Sequence, residues 1–251
     1  MANYDSFVFE GHGTSEKTGA YDPGATYNGV KENDLADAIV NSAMEYLKRS
    51  GLNIHRDENN FVDHDLAGNT YKFKCGTVVH INAGKGTGVE VYVPINEKYI
   101  STDVQFCKDV SSLLGIPNRG VKSRDYNSGR TYNRTHGTAI GGTDYYGEIR
   151  DAWNRGISLS IIEVGFIDSS DVTKIQANIK GIGRLVAKYI CTCCDAKLVE
   201  DTTPSKPNQP AATNGVYQVI CGSFANKNNA LKMQDDLKKA GFNTFLEFEK
   251  R

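Results

Sequence analysis

Leu159-Ser160-Ile161-Ile162-Glu163-Val164-Gly165-Phe166 is the most apolar strand-like run of the chain, and a single charge sits inside it. A short run of this kind suits a strand buried in the sheet of an α/β protein. Residues 6–10, 76–82 and 89–93 read the same way, rich in Val, Ile, Phe and Tyr. Helical patterns alternate with these runs. Leu35, Ile39, Ala43, Tyr46 and Leu47 share one face of a helix stopped by Gly51. Further helices are predicted near residues 98–114, 145–154 and 171–190. Such alternation predicts an α/β fold, a mostly parallel twisted sheet flanked by helices, with its chemistry at the C-terminal ends of the strands.

The chain has 251 residues, room for a catalytic domain and a small appendage. A formal net charge of -1 argues against binding nucleic acid or an anionic membrane through bulk charge. No run of about 18 apolar residues is present, so no membrane span is expected. The first ten residues lack a basic patch followed by an apolar stretch, so the chain is expected to be made in the cytoplasm without a signal peptide. Composition shifts near residue 201, where Pro204, Pro207 and Pro210 fall among Thr, Ser, Asn, Gln and Ala. The expected division is therefore a catalytic domain over 1–200, a Pro-rich linker over 201–214 and a small unit over 215–251.

Four residues stand at strand ends or a helix start. His12 follows the first strand in Glu10-Gly11-His12-Gly13, and Glu32 opens the first amphipathic helix. His80 ends a buried strand, and Glu163 lies inside the apolar run quoted above. A buried carboxylate without a partner is costly, so Glu163 needs a cation or hydrogen-bond donors nearby. Two histidines and one carboxylate form a catalytic zinc set, and a further free Glu suits a general base and acid. Taken singly, a His after Gly is also an ordinary loop residue, and a Glu at a helix start also complements the dipole.

The order of the blocks Phe9-Glu-Gly-His-Gly-Thr, Gly19-Ala20, Gly29-Val-Lys-Glu-Asn-Asp-Leu-Ala, Val79-His-Ile-Asn-Ala and Ile162-Glu-Val-Gly-Phe-Ile-Asp resembles the zinc-dependent N-acetylmuramoyl-L-alanine amidases. These are cell-wall hydrolases of bacteria and of phage endolysins, and the resemblance covers residues 6–190. It implies His12, Glu32 and His80 as ligands of a zinc ion (Zn2+) and Glu163 as the catalytic carboxylate. It also implies cleavage of the bond between N-acetylmuramic acid and L-alanine of peptidoglycan, and so lysis of the bacterial cell wall. Asn82 is expected to support the site from behind. The alternatives are a zinc carboxypeptidase or endopeptidase acting on the stem peptide, and a non-catalytic wall-binding protein. One departure is plain: Gly13-Thr14-Ser15-Glu16 stands where the family has a second Gly and an Asp.

Tyr126, Arg130, Tyr132, Arg134 and His136 are expected either to line a glycan or peptide rim or to form an ordinary polar loop. His55 and His64 are expected at the surface. The cysteines read as buried thiols rather than a metal site, including Cys191, Cys193 and Cys194. In the last unit, 216–224 and 244–248 read as strands around a helix carrying Ala230, Met233, Leu237 and Ala240. This small βαβ appendage resembles half of a sporulation-related repeat (SPOR) domain, which implies binding to denuded glycan strands. So short a unit is expected either to form a dimer through pairing across chains or to dock on its own catalytic domain.

Overall fold

Side chains alternate between the two faces of a strand, so each central strand of this chain feeds two apolar layers. The computed structural model describes residues 4–15, 18–56, 73–201, 224–239 and 244. The chain divides into two units, Met1–Asp201 and Thr202–Arg251. The first unit opens with β1 (Ser6–Glu10), then β2 (Gly13–Thr14), β3 (Tyr21–Asp22), β4 (Thr26–Tyr27), β5 (Val30–Lys31) and α1 (Glu32–Arg49). There follow β6 (Ile54–His55), β7 (Cys75–Asn82), β8 (Val89–Tyr92), α2 (Ser101–Leu114), β9 (Asn118–Arg124) and β10 (Thr131–Arg134). It closes with α3 (Gly147–Asn154), β11 (Ser158–Phe166), α4 (Asp171–Ala177) and α5 (Ile179–Cys193).

Seven strands form one sheet in the order β10-β9-β8-β11-β7-β1-β6. β6, β1, β7 and β11 run parallel, β8 is antiparallel to β11, and β9 is parallel to β8. β10 closes the edge antiparallel to β9. The mostly parallel α/β sheet predicted from the alternation is the observed one. Val8, Val79, Ile81, Ile162 and Val164 share a core with residues of α1, α2 and α5. Their neighbours Phe7, Phe9, Val78, Leu159 and Ile161 pack instead with Ile149 and Ala152 of α3. Ile162 is fully buried in a central strand, where burying its side chain contributes roughly 2 kcal/mol.

Helix α1 carries Glu32 and Asp34 in its first turn and Lys48 and Arg49 in its last, which complements its dipole. It stops at Ser50, and the following Gly51 takes φ 74°, a left-handed conformation that costs glycine little. The helix predicted over 171–190 is two helices. Asn178, at φ −127° and ψ 21°, breaks the ladder, and its amide donates back to the carbonyl of Lys174 at 2.9 Å. Asp201 is held at the end of the first unit by Tyr46, Arg49 and Lys180.

Cys75, Cys107, Cys191 and Cys194 are buried free thiols, and Cys193 is half-buried. Cys221 and His64 lie outside the described residues. In the second unit the described helix is α6 (Lys227–Lys239), capped by Asn226, whose side chain accepts the Asn228 N–H at 2.8 Å. None of its residues is buried, and Met233 is 39% exposed rather than packed. Apart from Phe224 and Thr244, the two strands predicted to flank it lie outside the described residues. No helix among the described residues is long and apolar enough to cross a membrane.

Candidate active site

Parallel strands bring their C-terminal ends to one edge of the sheet, and β1 and β7 deliver Gly11, His12 and His80 there. The Gly11 N–H continues the sheet by donating to Val79 at 2.7 Å. The chain then turns sharply, and His12 sits at φ 68°, a left-handed conformation unusual for a residue with a side chain. A Cβ on Gly11 would lie 2.2 Å from the His80 ring, and one on Gly24 would lie 2.5 Å from the His12 ring. Both glycines are therefore required by the close approach of backbone to imidazole.

Glu32 projects from the first residue of α1 and is 5% exposed. Its Oε2 lies 3.2 Å from His12 Nε2 and accepts the Ala25 N–H at 2.9 Å. Its Oε1 lies 2.9 Å from His80 Nδ1 and accepts the Ile81 N–H at 3.1 Å. Burial alone would push this carboxyl up. The bonds from His12, His80 and Ala25 outweigh it and hold the group well below the usual carboxylate range. Glu32 in turn raises His12 to about 9, against burial and with help from Asp22. His80 is raised as well, since burial is outweighed by its bond to Glu32 and the charges of Glu163, Glu148 and Glu32.

His12, Glu32 and His80 each offer one ligand atom, and these atoms all lie within 4.8 Å of one another. Two imidazoles and a carboxylate form a donor set that suits zinc. The expected three residues are thus brought together. Glu163 joins them through sheet register, because it pairs with His80 across β11 and β7 and with Glu90 across β11 and β8. Among the described residues its buried Oε2 has no hydrogen-bond partner, an orphan that a cation or a water would satisfy. Burial pushes its carboxyl up to about 7, with His80 opposing and Glu32 and Glu90 adding to the rise.

Two residues absent from the predicted set support this centre. Asp22 Oδ2 lies 2.9 Å from His12 Nδ1, and its Oδ1 accepts the Gly24 N–H at 2.9 Å. Asp22 stands in Tyr21-Asp22-Pro23-Gly24, ten residues beyond His12. Glu90 is 2% exposed and is neutralised by Arg119 and by Lys122 at 2.5 Å. Asn82 donates to Glu90 at 3.0 Å and makes no hydrogen bond to His12, Glu32 or His80 among the described residues. Among the described residues its side-chain link towards Glu163 runs by way of Glu90.

The rim residues divide. Tyr126 is 60% exposed and His136 is exposed, but Arg134 is 5% exposed. Its guanidinium donates to the carbonyls of Pro94, Ile95, Glu97 and Thr138 and to Ser123 Oγ. Arg134 is a structural pin for the strap beyond β10 and not a surface contact. His55 is likewise drawn in from the surface, its ring 4.8 Å from Tyr4 and 5.9 Å from Phe9.

Residues 7–190 match the N-acetylmuramoyl-L-alanine amidase family, and the chain belongs to it. The chain is 23% identical over 252 residues to the sporulation-specific N-acetylmuramoyl-L-alanine amidase of Bacillus subtilis, covering 96% of this chain and 83% of that protein. Among solved structures, Cwp6 from Clostridium difficile is similar in fold, with a TM-score of 0.58 and 22% identity. That match covers 76% of this chain and 29% of Cwp6. The CwlD amidase from Clostridioides difficile, solved with the GerS lipoprotein, gives a TM-score of 0.55 at 15% identity, covering 76% of this chain and 98% of that one.

Proposed function

We propose that the chain is a zinc-dependent amidase that cuts the bond between N-acetylmuramic acid and L-alanine in peptidoglycan, and that it acts in cell-wall lysis as an endolysin or autolysin. The observation that carries this reading is the convergence of His12, Glu32 and His80 within 4.8 Å beside the orphaned carboxylate of Glu163. In this reading His12, Glu32 and His80 hold the ion. Zinc supplies a Lewis acid for the scissile carbonyl and acidifies water to a pKa of about 7.

The remaining work belongs to the chain itself. Glu163 takes the proton of the attacking water at its carboxylate and passes it to the departing amine of L-alanine. A carboxyl raised toward neutrality suits both transfers, since it accepts and releases a proton near the working pH. Asp22 fixes the His12 ring so that Nε2 faces the centre, and the Ala25 and Ile81 N–H groups fix Glu32. Arg119 and Lys122 pair with the ionised Glu90 and so reduce the repulsion it exerts on Glu163 across the strand pair.

The division of labour follows from the same reading: residues 1–200 catalyse, 201–214 link, and 215–251 form a SPOR-like unit that holds the enzyme on denuded glycan strands. Digestion of purified peptidoglycan tests the bond. New amino-terminal L-alanine supports the amidase, whereas release of D-alanine instead supports the carboxypeptidase alternative and overturns it.

A further inference from the structure

Three arginines between β9 and α3 lie against tyrosine rings. The guanidinium carbon of Arg124 is 3.7 Å from the Tyr145 ring centre, that of Arg130 is 5.0 Å from Tyr132, and that of Arg150 is 5.5 Å from Tyr126. Among the described residues none of these three has a carboxylate within ion-pair distance. Their neighbours on β9 and β10 are differently engaged: Arg119 and Lys122 neutralise Glu90, and Arg134 is spent on backbone carbonyls.

Arg124 is the one of the three that leads back to the catalytic centre. Glu163 and Ile161 point to the same face of β11, and Ile161 pairs with Tyr92. The Tyr92 ring is 4.9 Å from Tyr146, and Tyr146 is 5.3 Å from Tyr145, on which Arg124 is stacked. Burial and the charge of Glu163 push the Tyr146 hydroxyl up, against the nearby positive charge of Arg124. Among the described residues the Arg124 side chain donates through Nε to the Gly129 carbonyl at 3.4 Å and makes no other hydrogen bond to a protein group, which leaves most of its fork open. A half-buried cation stacked on a ring and lacking a counter-charge is built to receive a planar anion through paired N–H groups.

We propose that Arg124, oriented by Tyr145 and Tyr146, receives a carboxylate of the substrate's peptide and so makes the enzyme selective for acidic over amidated peptides. The inference rests on the amidase reading, which brings an acidic peptide to the leaving side of the scissile bond. The surface meets that charge with unpaired cations.

Wild type, Arg124→Gln and Arg124→Lys are compared on a synthetic muramoyl peptide with free carboxylates and on its carboxamide counterpart. In Arg124→Gln, KM for the acidic substrate rises roughly tenfold or more while kcat and turnover of the carboxamide stay unchanged. Arg124→Lys recovers part of the loss. Equal effects on both substrates, or none, overturn the proposal. Calorimetric binding of the two peptides to wild type and Arg124→Gln gives the same comparison without turnover. A wild type that binds both peptides alike sinks this inference alone, whereas one that discriminates but cleaves neither sinks the amidase reading. If Arg124→Gln weakens binding of a poly(glycerol phosphate) chain and leaves the acidic peptide unaffected, the site serves a phosphate polymer and the proposal fails.

Discussion

Asp22 Oδ2 lies 2.9 Å from Nδ1 of His12, on the opposite side of the ring from the Nε2 that faces Glu32. This pairing selects the tautomer and the ring orientation that a metal needs, and removal of such a partner typically costs ten- to a hundredfold in affinity. Asp22→Ala is expected to weaken zinc binding by about that factor, as read by competition with a chelating dye. The melting temperature should change little, because Asp22 is exposed. Unchanged zinc affinity would show that His12 needs no such support.

Gly11 offers a steric test. Its backbone conformation suits any residue, so the cost of Gly11→Ala is the collision of the new Cβ with the His80 ring. Displacing a reacting group by about 1 Å costs on the order of a hundredfold. Turnover on purified peptidoglycan should fall by at least that much with the circular dichroism spectrum retained. Activity close to wild type would mean that His80 has freedom the close packing denies it.

Arg134 is expected to matter for stability and not for substrate. Arg134→Met removes the donor that bridges the carbonyls of Glu97 and Thr138, while those of Pro94 and Ile95 keep the N–H groups of Glu97 and Ile140, at a cost of roughly 2–3 kcal/mol. Urea unfolding measures that loss. Activity per folded molecule should stay within about threefold, and a selective loss of activity would return Arg134 to the substrate rim.

Asp103 sets a pH dependence remote from the centre. It is 4% exposed, and burial pushes its carboxyl up to about 6 despite bonds from Ser160 Oγ and Tyr189 OH. The folded chain therefore binds this proton more tightly than the unfolded chain, for which the ordinary value is about 4. Between those values the folded state holds more protons, so the contribution of Asp103 falls as pH rises and levels off above about 6. Asp103→Asn keeps an acceptor for both hydroxyls and removes the titration. Its melting temperature should gain on wild type between pH 4.5 and pH 7, and parallel profiles at the two pH values would contradict this.

Much of this architecture was legible because burial writes itself into composition. Leu159 to Phe166 reads as a strand by its apolar run, and Glu163 reads as functional because a charge is expensive there. His12, Glu32 and His80 stood at element ends, where parallel strands present their chemistry. Asp22 was hidden because its bond to His12 closes a ten-residue loop whose path no periodicity describes. Arg134 lies among Tyr, Asn, Thr and His and reads as surface, since only the folded chain supplies the carbonyls around it. The break at Asn178 was equally silent, because an Asn fits a helical pattern until its amide turns back on Lys174. Glu90 alternates with Val89 and Val91 like any exposed strand residue, and its burial depends on Arg119 and Lys122 arriving from β9.

The central claim is that Glu163 moves the proton at a centre held by His12, Glu32 and His80. Measuring zinc content and peptidoglycan turnover together in Glu163→Gln tests it most directly. The predicted result is zinc bound as in wild type with release of L-alanine amino termini lost by a thousandfold or so, in line with removal of a general base and acid. Full turnover in Glu163→Gln would contradict the account.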